Sequence, residues 1–521
     1  MIVKPKDIRL KVQLVKIGMN HQYYYEGPCR MGMGEALEPA FDVMSNAESF
    51  EAIKKEFADH FKTKLSESAE LMEPLYFGRT DNWDIKESMF EELKKTLPEA
   101  DLYIFNTKLG TYDVAVEFAE RFKVPVGTAP EFFNAAAGAM IGGALASRDV
   151  EYEFYPHLDW DAFDQTIRIL RTRKVLRNSR MLQLVRFNSS VSKSCVDSFP
   201  NLNAVSERFG VRFRQVNAHE FMDQLTPSTE NGNPTTPGRK TWDLDENDMV
   251  EAERIADELI NGAVEVEVER QFVINSVKTY IAVKKHMDLW DCNCFAAPCP
   301  DLCSTCRLNK EQMTFCLNHS LLNREGLASA CEYDISAGVS MQMLIALTGQ
   351  SPYMGNTSPV IFKDGVPQPP QVEVGRIDPD GLPKVEQLKG YVYNFHHSTP
   401  HNHFNDPKKS DSYALRHFAY DQGFGAVMRY NFSEDAGKKV TTCRISGDAS
   451  RLMIMSGEII CGGGYGLNNC NSQVFLKVNA KTSEIYPEQA RFGNHFALVY
   501  GDYADDLEAF AKLMGLEVVR F

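Results

Sequence analysis

The sequence predicts an α/β protein: two N-terminal α/β domains with parallel sheets, followed by a mainly antiparallel, β-rich C-terminal domain. Two observations carry this. Up to residue 170, and again from residue 180, strand-like runs alternate with segments whose apolar residues recur at helical spacing. That rhythm belongs to a parallel sheet covered by helices. After residue 350 short β-type runs take over. The domain boundaries read as 1–175, 176–350 and 351–521.

In order, "IRLKVQLVKI" (8–17) alternates charge with apolar residues and reads as a first strand rather than a signal peptide. "DLYIFN" (101–106) is the next clear strand, "YDVAVEFAERF" (112–122) a helix and "VPVGTA" (124–129) a further strand. The apolar run "FFNAAAGAMIGGALAS" (132–147) is too short and too rich in small residues to span a bilayer, and reads as a closely packed helix. A second unit opens at "RMLQLVRF" (180–187) and repeats the pattern with "LNAVSERFG" (202–210) and "VRFRQVN" (211–217). The stretch 225–243, dense in Pro, Gly, Asn and Thr, is a loop. Two long helical segments follow, over 245–263 and 269–287. The C-terminal third holds "YVYNF", "VMRYNF", "KVTTCRI", "RLMIMSGEII" and "SQVFLKV", then a helix at 503–515 and a last strand, "LEVVRF". "CGGGYGLNNC" (461–470) leads into a strand rather than a helix, so it is a turn and not a phosphate loop.

The chain of 521 residues, 43% hydrophobic and 24% charged, has the composition of a soluble globular protein. Its formal net charge of −15 argues against a general affinity for nucleic acid or for anionic membrane. Twelve cysteines without a secretion signal point to a reducing compartment, and the cytoplasm is the expected one.

Three clusters hold the candidate chemistry. In "GLASACEYDISAGVSMQMLIALTG" (326–349), Ile335, Val339, Met343 and Leu347 recur every four residues. Asp334 stands where a helix N-cap would, and Glu332 lies just outside, free to project from the helix mouth. In "YNFHHSTPHNHF" (393–404), His396, His397, His401 and His403 could bind a metal, polarise a substrate oxygen or simply be solvated. His495, beside Asn494 in an apolar strand, reads as a core residue unless a distant partner promotes it. Finally, Cys292, Cys294, Cys299, Cys303 and Cys306 put five thiols in 15 residues. That is enough for a structural zinc or an iron–sulfur cluster, while free buried thiols explain them equally well.

Three stretches together resemble the L-fucose isomerase/L-arabinose isomerase superfamily of metal-dependent sugar isomerases. They are the Cys-Glu-x-Asp segment with its following helix and "TG-x-P" turn (315–356), "VTTCRISGDASRLMIMSGEII" (440–460), and the Gly-Asn-His…Gly-Asp ending (491–521). The resemblance implies an aldose–ketose isomerase that works through a cis-enediol with Mn²⁺ or another divalent metal. It aligns Glu332 with a metal-binding acid/base and His495 with a metal-binding histidine. His396, His397 and Asn494 are the substrate-binding candidates, and the loop that carries the histidines departs from the family pattern. Asn356 occupies the position of a second acidic ligand, where an amide carries no charge and cannot act as a base. Asp364 or the 396–403 histidines would then substitute, and the lost charge would suit a sulfonated, phosphorylated or carboxylated sugar. The resemblance also implies a homo-oligomer, trimer or hexamer, acting on a small-molecule sugar. Two alternatives remain at this level: a sugar-binding protein that has lost turnover at Asn356, and a redox enzyme using the 292–306 cysteines.

Overall fold

The computed structural model describes residues 2–19, 58–79, 86–107, 111–130, 134–148, 153–186, 196–198, 201–225, 243–368, 377–399, 412–418, 423–468, 470 and 472–521. These form two units, one over Ile8–Arg171 and one over Met1–Asp7 with Thr172–Phe521.

In the smaller unit the strand Leu10–Met19 lies one place in from the edge of a parallel sheet. It pairs with Ala69–Leu71, Leu75–Arg79 and Leu102–Thr107, and the sheet continues through Val126–Thr128 to Phe154–Tyr155. The helix Tyr112–Phe122 buries Val114, Ala115, Phe118 and Ala119 against it, the face its sequence spacing predicts. The apolar run singled out above forms the helix Asn134–Ala146. No helix among the described residues is long and apolar enough to cross a membrane.

The larger unit starts with a second parallel sheet, ordered Ala328–Ala330, Cys294–Ala296, Arg180–Val185, Arg212–Asn217. Around it lie helices with local start signals. Asn201 caps Leu202–Phe209, and Asp245 with Asp248 forms a capping box on Glu246–Gly262.

The C-terminal strands close into an antiparallel barrel. Lys439–Ile445, His495–Tyr500, Tyr353–Pro359, Val392–Thr399, Gln473–Val478 and Arg451–Gly463 pair in that order, and the last pairs back to the first. Closure demands that one strand serve several neighbours. Arg451–Gly463 does so by its 13-residue length and a register shift between Ile459 and Cys461, and it also takes Glu517–Arg520 as a parallel neighbour. The fold class is therefore the one the sequence predicts: parallel α/β sheets followed by an antiparallel β-rich region.

One helix joins the parallel sheet to the barrel. Ile335–Thr348 is buried from Ile335 through Leu347, so it has no solvent face. Its few polar residues are used as ties: Gln342 donates to Ser179 Oγ (2.8 Å), and Ser340 Oγ accepts the Ile445 N–H of the barrel (3.0 Å). At Gly338 a Cβ would meet Ala330 Cβ at 3.2 Å, which lets the helix lie this close to the sheet.

Candidate active site

Glu332 follows the carboxyl end of the parallel strand Ala328–Ala330, the edge where open α/β sheets place their ligands. Its backbone is unusual. Glu332 (φ 57) and Tyr333 (φ 61) are consecutive non-glycine residues in the left-handed region, a conformation costing about 1–2 kcal/mol per residue. Neighbours impose it. Tyr333 N–H donates to Ala297 O (2.9 Å), the Tyr333 hydroxyl to Gln183 Oε1 (2.9 Å), and Asp334 N–H to Cys331 O (3.0 Å). The chain thereby turns sharply and leaves Glu332 half-buried at the helix mouth.

Asp334 caps the helix as its sequence position predicts, with Oδ1 accepting the Ala337 N–H at 2.9 Å. It does more than cap. Its Oδ2 accepts from Arg444 Nη1 (2.7 Å) and pairs with His495 Nδ1 (2.9 Å), and all three side chains are buried. Burial favours the neutral acid, but Arg444 and His495 outweigh it and hold Asp334 down at about 2.

Arg444 is the hub. Its Nε donates to Phe492 O (2.7 Å), Nη1 also to His495 O (2.6 Å), and Nη2 to Asp197 O (3.1 Å). Nothing can fit between this guanidinium and the following loop, which explains the glycine of the Gly-Asn-His motif. Gly493 has φ +123, and a Cβ there would stand 2.7 Å from Arg444 Nη2 and 2.8 Å from Asp197 Oδ2. Asp197 in turn accepts the Asn494 N–H (2.7 Å) and fixes the backbone just before His495.

His495 is thus oriented from one side by Asp334. Its other nitrogen, Nε2, lies 3.4 Å from Glu332 Oε2 and has no hydrogen-bond partner among the described residues. A buried imidazole nitrogen that faces one carboxylate, with another behind its opposite nitrogen, could ligate a metal. Burial disfavours a charge on His495, yet Glu332 and Asp334 raise its pKa to about 10. Both carboxylates thus favour positive charge at His495.

The ligand atoms of Asp197, Asp334 and His495 lie within 4.8 Å of one another. Asp334 has both oxygens engaged, so its role is to orient, whereas Glu332 remains accessible with 23% of its side chain exposed. Asn356 is paired in register with both His495 and His396, its amide oxygen accepts from Asn494 Nδ2, and its Nδ2 donates to His396 O (3.3 Å). Glu332, Asn356, His396, Asn494 and His495 are thus gathered from across the sequence. His397 follows in the same strand, its side chain outside the described residues, as are His401 and His403. Asp364 sits in the turn of the hairpin Ile361–Lys363/Val366–Gln368. Asp334 and Asp197 accompany His495 together with Glu332. The sequence reading missed Asp197 and Arg444. A lone arginine between Cys443 and Ile445 in an apolar strand was the available signal for Arg444.

The five cysteines do not act as one group. Cys292 and Cys294 are buried at and before the strand Cys294–Ala296, and burial pushes both thiols up, Cys292 to about 12. Cys306 is exposed, and burial pushes half-buried Cys303 up to about 12. Cys299 turns instead toward Cys331 and His319. A separate cavity of about 1130 Å³, lined among others by Lys4, Arg254, Tyr280, Lys284, Glu325 and Tyr413, shares no residue with the Glu332 cluster. Several of its charges pair with each other, with Glu325 between Lys4 (2.7 Å) and Lys284 (2.9 Å) and Arg254 on Glu251 (2.6 Å).

No protein-family model matches the chain. Over 246 residues it is 25% identical to proteins named sulfoquinovose isomerase from Priestia aryabhattai and from Priestia megaterium. The match covers 46% of this chain and 46% of each relative, so the chain spans about half the length of the curated relatives it matches.

Proposed function

We propose that this protein is an aldose–ketose isomerase acting on an anionic sugar, with a sulfonated aldose the first substrate to test. The observation that carries the reading is the open Nε2 of buried His495 facing Glu332 at 3.4 Å, with Asp334 holding the opposite nitrogen. Similarity to sulfoquinovose isomerases supports the reaction type and the sulfonated class.

His495 and Glu332 would hold a divalent cation, Mn²⁺ by the family resemblance, and Asn356 offers a neutral oxygen nearby. Such a cation, when bound, supplies Lewis-acid polarisation of the sugar's C1 and C2 oxygens. The proton work falls to Glu332. It takes the proton from C2 of the aldose, whose C–H electron pair forms the C1–C2 double bond, while the carbonyl oxygen on C1 takes up the proton that the C2 hydroxyl gives up. Return of the carbon-borne proton from Glu332 to C1 draws the double-bond pair into the new C1–H bond and leaves a carbonyl at C2, giving the ketose. Asp334 and Arg444 take no part in proton transfer; they fix the imidazole. The strained turn at Glu332–Tyr333 keeps the base from relaxing into the helix.

The test is incubation with Mn²⁺ and sulfoquinovose or glucose in deuterated water, followed by NMR. Ketose formation with deuterium incorporation at the transferred position is expected, faster for the sulfonated sugar. Glu332→Gln should lower the rate about 10²–10⁴-fold. Absence of exchange with every aldose tried would refute an isomerase. The reading of a sugar-binding protein without turnover rests on Asn356, and sugar-dependent thermal stabilisation without exchange would establish it.

A further inference from the structure

Directly behind the Glu332 turn lies a second cluster that the proposed reaction does not use. Cys299 begins the helix Cys299–Ser304, His319 lies in the helix Phe315–Arg324, and Cys331 follows the strand Ala328–Ala330 and precedes Glu332. Their ligand atoms lie within 4.8 Å of one another. We propose that Cys299, His319 and Cys331 bind a zinc ion that pins the backbone of the Glu332 turn.

The distances fit one ion rather than a cluster or a bond. A tetrahedral zinc with arms of about 2.3 Å to sulfur and about 2.05 Å to nitrogen sets two sulfurs about 3.8 Å apart and a sulfur and a nitrogen about 3.6 Å apart. Cys299 and Cys331 sulfurs are 3.7 Å apart, and Cys299 Sγ is 3.8 Å from His319 Nε2. A disulfide would need about 2.05 Å. The histidine is also presented as a ligand. Its Nδ1 pairs with Ser329 Oγ (2.7 Å), which leaves Nε2 toward the sulfurs. Ser329 is clamped in turn by Asn323, which accepts its N–H (2.9 Å) and donates to its carbonyl (3.3 Å).

The donor set separates this site from the other. Two thiolates and an imidazole favour zinc, whereas Glu332, Asn356 and His495 offer mainly oxygen and suit Mn²⁺. Cys316, one turn before His319 on the same helix face, is a further thiol beside the triad and contacts Cys470. Because Cys331 adjoins Glu332, an ion here would resist relaxation of the two left-handed residues that follow.

The test is zinc content and cobalt spectroscopy on the full chain, independent of any sugar. About one zinc per chain should survive brief treatment with EDTA that removes Mn²⁺. Protein reconstituted with Co²⁺ should show a thiolate-to-cobalt charge-transfer band, which Glu332→Gln and Cys292→Ser keep. Cys299→Ser and His319→Ala should lose the band while keeping the far-ultraviolet circular dichroism of the wild type. Wild-type protein with neither retained zinc nor the band overturns the proposal, as does a band that survives Cys299→Ser. So does a Cys299–Cys331 disulfide found by mass spectrometry in protein purified without oxidant.

Discussion

Replacing Asp334 by Asn separates the two tasks that this side chain performs. Asn keeps an oxygen for the Ala337 N–H and is as good an N-cap as Asp, so the cap survives. What it removes is the negative charge between Arg444 (2.7 Å) and His495 (2.9 Å), both fully buried. Breaking a buried pair by deleting one partner costs about 3–5 kcal/mol, because the remaining charge has no water to turn to. The same change takes away the carboxylate that orients His495, which should lower the Mn²⁺ affinity of the proposed site about 10–100-fold. Urea unfolding of wild type, Asp334→Asn and Asp334→Ala measures the first effect, and Ala should cost about 1 kcal/mol beyond Asn for the lost cap. Mn²⁺ titration measures the second. An Asn variant within about 1 kcal/mol of wild type and with unchanged Mn²⁺ affinity would refute the assignment of Asp334 as the orienting group. The acid limb has a definite sign. Asp334 is depressed to about 2 in the fold, so its stabilisation is complete above about 3.8 and fades as pH falls through about 2.

Three further outcomes are expected. Gly493→Ala should destabilise the larger unit by on the order of 3 kcal/mol, since its φ of +123 and a Cβ within 2.8 Å of Arg444 leave no room; unchanged urea unfolding would show that the loop relaxes freely. Because a cation at His495 must displace the proton that Glu332 and Asp334 hold there, apparent Mn²⁺ affinity should climb up to about tenfold per pH unit below pH 10, and an affinity flat from pH 6 to 9 would exclude His495 as a ligand. In the smaller unit, burial lowers His157 to about 4 despite its bonds to Thr128 O (2.7 Å) and Thr166 Oγ1 (3.0 Å). Its neutral form stabilises fully above about 6.5, and up to about 3 kcal/mol is lost as pH falls through 4. His157→Gln should flatten that part of the stability profile measured by circular dichroism.

Local pattern made much of this protein legible. The helix Tyr112–Phe122, the strands Lys439–Ile445 and Gln473–Val478, and the Asp334 cap all follow from spacing and residue type, because burial of a repeating face and satisfaction of a helix end are decided within a few residues. So was the choice of Glu332 as a group that must face something. The partners were not. Asp334 and His495 stand 161 residues apart, and Arg444 stands 110 from Asp334. Their meeting depends on barrel register, which sets Asn356 opposite His495 on one strand and opposite His396 on another. The cysteines make the same point in reverse. Proximity in sequence groups Cys292 with Cys299, yet strand Cys294–Ala296 carries the first into the core while Cys299 turns to Cys331 and His319. Elements and the residue types able to do chemistry are written in local periodicity and side-chain character. Which of those residues share a site is settled by strand pairing, which joins positions too far apart for any local pattern to record.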